Sequence, residues 1–124
     1  MTIREAIART DAVRANAFNE ELKISWLSRL DGMVKKLVID THEGGEAVTF
    51  DGYGSGTDPD TQLLVPAPFD DIYLRWLEAQ IDYAGGEFGR YNNAIVLFNA
   101  AFGIFQNHYN RSHLPAPGDR RFAF

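Results

Sequence analysis

Between Glu87 and Arg111 the apolar residues recur at a spacing that only a helix can use, and this stretch constrains the rest of the chain. Phe88, Tyr91, Ile95, Phe98, Phe102, Phe105 and Tyr109 follow at alternating intervals of three and four, which on a helix draws them into one aromatic seam. Ala94, Leu97, Ala101 and Ile104 form a second row that widens the seam. The remaining face carries Asn92, Asn99, Gln106, Asn107 and Asn110, and between Tyr91 and Asn110 only His108 can bring a positive charge. Solvated helix faces usually carry Lys, Glu and Arg, so a face of neutral amides suits a helix touched by protein on more than one side. The same amides rule out a membrane span, because each would take an unsatisfied group into lipid.

The chain before this helix reads as further helices. Thr2 and Glu5 make a capping box, and Ile3, Ala6, Ile7 and Val13 follow at helical spacing, which predicts a short first helix. Asn16 to Asn19 interrupts it. Asn19 then caps a second helix, with Glu20 and Glu21 in the favourable first turn, running to about Thr41 and stopped by Gly44-Gly45. Its expected core stripe is Leu22, Trp26, Leu30, Met33 and Leu37, backed by Leu27, Val34 and Val38.

From Glu46 to Val65 the pattern becomes extended. Val48 and Phe50 alternate with Ala47 and Thr49, and Gln62 to Val65 is a second β-prone run, which predicts a small hairpin. The Gly-rich stretch around Tyr53 is its expected projecting tip, and Tyr53 a candidate partner contact. Pro66 and Pro68 open a third helix, on which Asp71, Arg75, Glu78 and Asp82 form an ionic stripe with Asp71 and Arg75 as an i,i+4 pair. The rest of that helix is so apolar that about two-thirds of its circumference calls for burial, beyond the ~100° stripe of a surface helix. Gly85-Gly86 sets it antiparallel to the fourth helix.

The expected fold is therefore mainly α, a four-helix bundle-like domain over 1–114 with a small β-hairpin or extended loop at 46–65, followed by a C-terminal tail at 115–124. The tail ends Arg120-Arg121-Phe122-Ala123-Phe124, where Phe122 and Phe124 are candidate anchors on a partner. A chain of 124 residues is long enough to bury about two-thirds of its unfolded surface. Without cysteine it has neither disulfides nor Cys-based zinc sites. A secretory signal is not visible, which leads us to expect a cytosolic site of synthesis. The net charge of −5 opposes sequence-independent DNA binding, which depends on Lys and Arg displacing counterions.

Chemistry-bearing patterns are weak. His42-Glu43-Gly44-Gly45-Glu46 lacks the second histidine of a zinc-protease helix, and its glycines break the helix that would align the ligands. His108 and His113 straddle a helix end and do not share a face. The glycines at 52, 54 and 56 lack the lysine of a phosphate loop, and the nearby aspartates suit turns better than calcium. Asp70 and Asp71 fit a helix N-terminus without any acid–base role. No catalytic residue, cofactor or metal site is expected.

Leu63-Leu-Val-Pro-Ala-Pro-Phe-Asp-Asp-Ile-Tyr-Leu-Arg-Trp-Leu-Glu78, with Ile81-Asp-Tyr83, Glu87-Phe-Gly-Arg-Tyr-Asn-Asn-Ala94, Leu97-Phe-Asn-Ala100 and His108-Tyr-Asn-Arg111, resembles small proteins of tailed phages and prophages. These are the head-to-tail connector, adaptor or head-completion proteins. The resemblance extends from Thr2 to about Pro115 and is densest from Leu63 to Arg111. It implies a non-enzymatic virion subunit, assembled in the bacterial host cytoplasm, whose copies form a ring between the portal protein and a tail or stopper protein. DNA would pass through such a ring without specific binding, and no membrane would be involved. Leu74 on the third helix, with Asn92, Asn99, Gln106 and Asn110 on the fourth, are then the expected interface residues. The alternative class is a non-enzymatic helical interaction module, dimeric and regulatory, that uses the same faces.

Overall fold

The computed structural model describes residues 1–117, so Arg120, Arg121, Phe122 and Phe124 lie outside the described residues. Four α-helices carry the fold: α1 (Ile3–Val13), α2 (Glu20–Val34), α3 (Ile72–Ala84) and α4 (Phe88–Ser112). The expected mainly helical, four-helix arrangement is present, and of the two forms expected for 46–65, a hairpin or an extended loop, the chain takes the loop; among the described residues only isolated antiparallel bridges join Thr2 to Gln62 and His42 to Pro115. The Thr2–Glu5 capping box forms in both directions, and the Asn19 side chain accepts from the Leu22 amide at 2.8 Å, which fixes both helix starts locally.

The extended segment takes a different partner from the one its β-prone pattern suggests. An α-helix leaves its first backbone N–H groups without intrahelical acceptors. Here the Ile3 amide donates to Thr61 O at 3.1 Å and the Arg4 amide to Pro59 O at 2.9 Å, while the Leu63 amide donates to Met1 O at 3.0 Å. The segment is thus strapped across the start of α1 and does not project. Pairing with those orphan donors satisfies more backbone than a two-strand hairpin with a long flexible loop.

The second helix also departs from expectation. It is α-helical only to Val34, then widens into a π turn over Lys35–Ile39, where the Asp40 amide donates to Lys35 O at 2.8 Å. Lys35 holds the turn together by reaching Asp40 and the carbonyl of Gly45. One extra residue in the turn brings the neighbours Val38 and Ile39 inward together. Leu37, expected in the core, is 53% exposed, and Leu22 is also at the surface. The buried stripe runs instead through Ile24, Leu27, Asp31, Val34 and Val38, with Trp26 and Leu30 beside it. Gly44, with φ +83°, lies past the helix and opens a short 3-10 turn, Gly45–Ala47, in place of capping α2.

The third helix is the centre of the molecule, since α1, α2 and α4 all pack on it. Ile72, Tyr73, Trp76, Leu77, Ala79 and Ile81 are buried there, as the apolar excess on this helix predicts. Gly86, at φ +75°, supplies the left-handed conformation that turns the chain back into α4. The two helices meet with the Trp76 and Phe98 rings 4.9 Å apart, an ordinary aromatic contact distance. Beyond α4 the chain returns to the turn that follows the π segment: the Glu43 amide donates to Leu114 O at 2.8 Å, and the Ala116 amide to Thr41 O at 2.9 Å. Residues up to 116 are therefore tied to the helical body.

Candidate interaction surface

The most concentrated polar chemistry is internal. Asp31 is fully buried in α2 and accepts from three groups: the Tyr53 hydroxyl at 2.5 Å, the Tyr73 hydroxyl at 2.6 Å and the Leu64 amide at 3.0 Å. Tyr73 in turn accepts from the Val65 amide at 2.7 Å. One carboxylate therefore joins α2, α3 and two points of the extended segment, Tyr53 and Leu64. Burial pushes the Asp31 carboxyl above its ordinary value, although its three donors act in the opposite direction. Burial first, and the neighbouring Asp31 second, push both tyrosine hydroxyls far up, so they remain donors. Every buried side-chain polar atom among the described residues has a partner. The cluster is a satisfied structural hub, and Tyr53, expected at a projecting tip, is turned inward to serve it.

The ionic stripe of α3 has the same character. Asp82 is 2% exposed and is held by the Arg14 guanidinium at 2.6 Å, and Glu78 lies 3.8 Å from Arg14 and 3.7 Å from Arg75. The expected partner of Arg75 was Asp71; the ion pair it forms is with Glu78. On the far side of α1, Lys23 is buried against Asp11 at 2.9 Å. These pairs clamp the end of α1 onto α3 and α2, and a buried charge left without its partner costs several kcal/mol by the usual measure, about 3–5.

The histidines lie mostly at the far end. His42 is buried, its Nδ1 2.6 Å from Val38 O, and its ring meets Tyr109 edge-on at 4.8 Å. His113 stacks on the same Tyr109 at 3.8 Å, so the structure brings together two histidines that the sequence spacing separates. His108 stacks on Phe69. Among the described residues no group of three His, Asp or Glu side chains is placed to hold a metal ion.

What remains for an outside partner is α4. Only Ala94, Phe98 and Phe105 of its twenty-five residues are buried. At about 100° per residue the two neighbours of Phe98 leave the core line on opposite sides. Asn99 begins one flank, on which Asn92 and Asn110 are exposed and Gln106 is half-buried. Leu97 begins the other, with Ala100 and Ile104. The expected amide face is thus one flank beside Ile95 and Phe102, and the outer surface of the helix is not uniformly polar. Leu97, Ile104 and Phe88, expected in or beside the core seam, are 48%, 60% and 58% exposed, and Val96 is exposed as well. The reason is the absence of a second helix against α4, which packs on α3 and on no other helix to a comparable extent. Leu74, expected at an interface, is half-buried and packs against the core.

Leu97 stands where two hollows meet along the α3–α4 seam. One is lined by Val13, Arg14, Glu78, Arg90 and Asn93, the other by Pro68, Phe69, Asp71, Arg75, Ala101 and Ile104. Together they form a trough with an apolar floor on α4 and a charged lip on α3. Among the described residues no helix is long and apolar enough to cross a membrane. Compared with known proteins, the chain matches no family model, no curated protein and no solved structure.

Proposed function

We propose that this chain is a structural subunit whose copies assemble side by side into a ring, acting as a head-to-tail connector between the portal protein and a tail or stopper protein of a tailed phage or prophage. The observation that carries the reading is α4, a long helix that is uncharged from Tyr91 to Asn110 apart from His108, yet buries only three side chains in its own subunit. Leu97 and Ile104 held in water are a standing drive for association, since covering apolar surface stabilises by about 25 cal/mol per Å². The resemblance of Leu63 to Arg111 to connector proteins supplies the class of assembly. An acidic balance, −5 over the chain, suits a ring through which DNA slides without adhering. Its place of action on this reading is the virion, after assembly in the bacterial cytoplasm.

A symmetric dimer, the other class open to such a surface, is disfavoured by charge. Arg90, Leu97, Ile104 and Arg111 are spaced by seven and lie on one line of the helix. A parallel two-fold pair of α4 helices sets each arginine against itself, and an antiparallel pair that matches Leu97 with Ile104 sets Arg90 against Arg111.

The test is particle assembly in cells supplied with variants. Leu97→Glu and Asn99→Lys, one on each flank, are expected to leave the circular dichroism spectrum and melting unchanged and to abolish tailed particles. Normal yields of tailed particles from both variants would remove the connector reading.

A further inference from the structure

The sequence holds two Asp-Gly dipeptides, Asp31-Gly32 and Asp51-Gly52. Such a pair can rearrange without an enzyme, because glycine has no side chain to shield its amide nitrogen from the preceding carboxyl carbon. The fold treats the two pairs in opposite ways. Asp31 is fully buried and held by Tyr53, Tyr73 and the Leu64 amide, and Gly32 lies inside α2, where the helical ladder engages its N–H and fixes ψ. Asp51 and Gly52 are both exposed, in a stretch of the strap outside regular structure. Among the described residues the Asp51 carboxylate has no hydrogen bond or ion pair and the Gly52 amide has no acceptor. Gly52 stands at φ +91°, with the Ser28 hydroxyl on one side and open space elsewhere.

We propose that Asp51-Gly52 is a site of spontaneous aspartate isomerisation, which the fold permits there and blocks at Asp31-Gly32. The Gly52 nitrogen attacks Asp51 Cγ and a C–N bond forms. One carboxyl oxygen departs as water, taking the carboxyl proton and the amide proton, and leaves a five-membered succinimide. Water then adds at a ring carbonyl. Opening at the main-chain carbonyl routes the backbone through the former side chain, so the chain path gains a methylene and a free α-carboxylate, with no net change in atoms. This insertion lies just before the strap's anchor, where the Tyr53 amide donates to Ser28 Oγ at 3.0 Å and the Tyr53 hydroxyl to Asp31. A longer backbone at that point pulls Tyr53 out of register with both partners and loosens the hub from its surface side.

The test ages the purified chain for weeks at physiological pH and temperature, once folded and once in urea. Trypsin then separates the sites, since Asp31 falls in the peptide 30–35 and Asp51 in the peptide 37–75. The peptides are labelled by a protein isoaspartate methyltransferase with radioactive S-adenosylmethionine. In the folded chain the label at Asp51 is expected to exceed that at Asp31 by about tenfold or more, because Asp31 reacts only when α2 opens, whereas in urea the two sites label alike. Asp51→Glu, which would have to close a less favourable six-membered ring at an exposed position, is expected to fold normally and to lose the label. Equal labelling of the two sites in the folded chain, or none at Asp51, would overturn the proposal. An isomerised chain that melts together with the unaged one would overturn the link to Tyr53.

Discussion

Helices α3 and α4 are neighbours in sequence, antiparallel in space and both rich in aromatic residues, yet they meet opposite fates. Six apolar side chains of α3 are buried together with Glu78 and Asp82, while α4, almost twice as long, buries three. The cause is position among the layers: α3 receives α1, α2 and α4, whereas α4 receives α3. Apolar content alone therefore does not make a residue core. Where a helix carries more apolar surface than its own subunit covers, the surplus is available for association.

The largest contrast between the two helices comes from large-to-small substitution. Trp76→Ala removes a buried ring that packs on Phe98 and leaves the Trp26 carbonyl without the indole donor 2.8 Å away, and a loss of about 3–5 kcal/mol is expected. Ile104→Ala on α4 is expected to change stability by less than about 0.5 kcal/mol. Urea unfolding of the two variants measures both, and equal losses would mean that α4 is buried within the subunit. The next effect in size comes from charge. Arg14→Ala leaves Asp82 buried and unpaired, at a cost of about 3 kcal/mol. Arg4→Ala, which breaks a pair with Asp60 that is exposed to solvent and screened by it, is expected to cost far less. The ranking of these two by chemical denaturation checks that the ionic stripe of α3 belongs to the interior.

Which of these features were legible in the sequence follows from how far apart the interacting residues lie. The caps at Thr2 and Asn19 and the turn at Gly85-Gly86 involve groups within a few residues of one another, so spacing alone identifies them. The partners of Asp31 are not local: Tyr53, Leu64 and Tyr73 reach it from 22, 33 and 42 positions away. Asp31 does leave one trace, as an acid in line with Leu27 and Val34 at helical spacing. On α4 the two flanks differ visibly, amides on one and Leu97 with Ile104 on the other. Which flank is covered depends on where other helices lie, and no local pattern encodes that. The β-prone run at Gln62–Val65 forms no strand and meets the start of α1 through an isolated bridge, a partner that no local pattern shows because the orphan amides it pairs with are invisible until the helix is placed.

The Asp31 hub gives a smaller effect with a definite sign. Its carboxyl is raised in the folded state, so the group favours folding most when the pH lies below the ordinary carboxylate range and loses that contribution as pH rises through its folded value. Melting measured from about pH 4 to pH 7 is expected to show the natural chain losing stability relative to Asp31→Asn, whose amide does not titrate. A difference between the two that stays constant across that range would mean that the carboxyl is not shifted upward by burial. No comparable dependence is expected for Leu97→Ala, because neither leucine nor alanine carries a titratable group.

The smallest expected effect on folding carries the sharpest consequence for the comparison. Leu97→Glu places a charge at a site 48% exposed, beside Arg90 and Asn93 at the rim of the trough, and a change within about 0.5 kcal/mol is expected in the isolated subunit. In an assembly the same carboxylate is desolvated against the next subunit, where an unpaired buried charge costs about 3–5 kcal/mol per contact, repeated at every interface of a closed ring. Sedimentation velocity on concentrated chain, set beside the melting curve of the same sample, separates the two quantities. An unchanged melt with lost association assigns Leu97 to the interface between subunits, and a lowered melt with association intact returns it to the core that the aromatic seam first suggests.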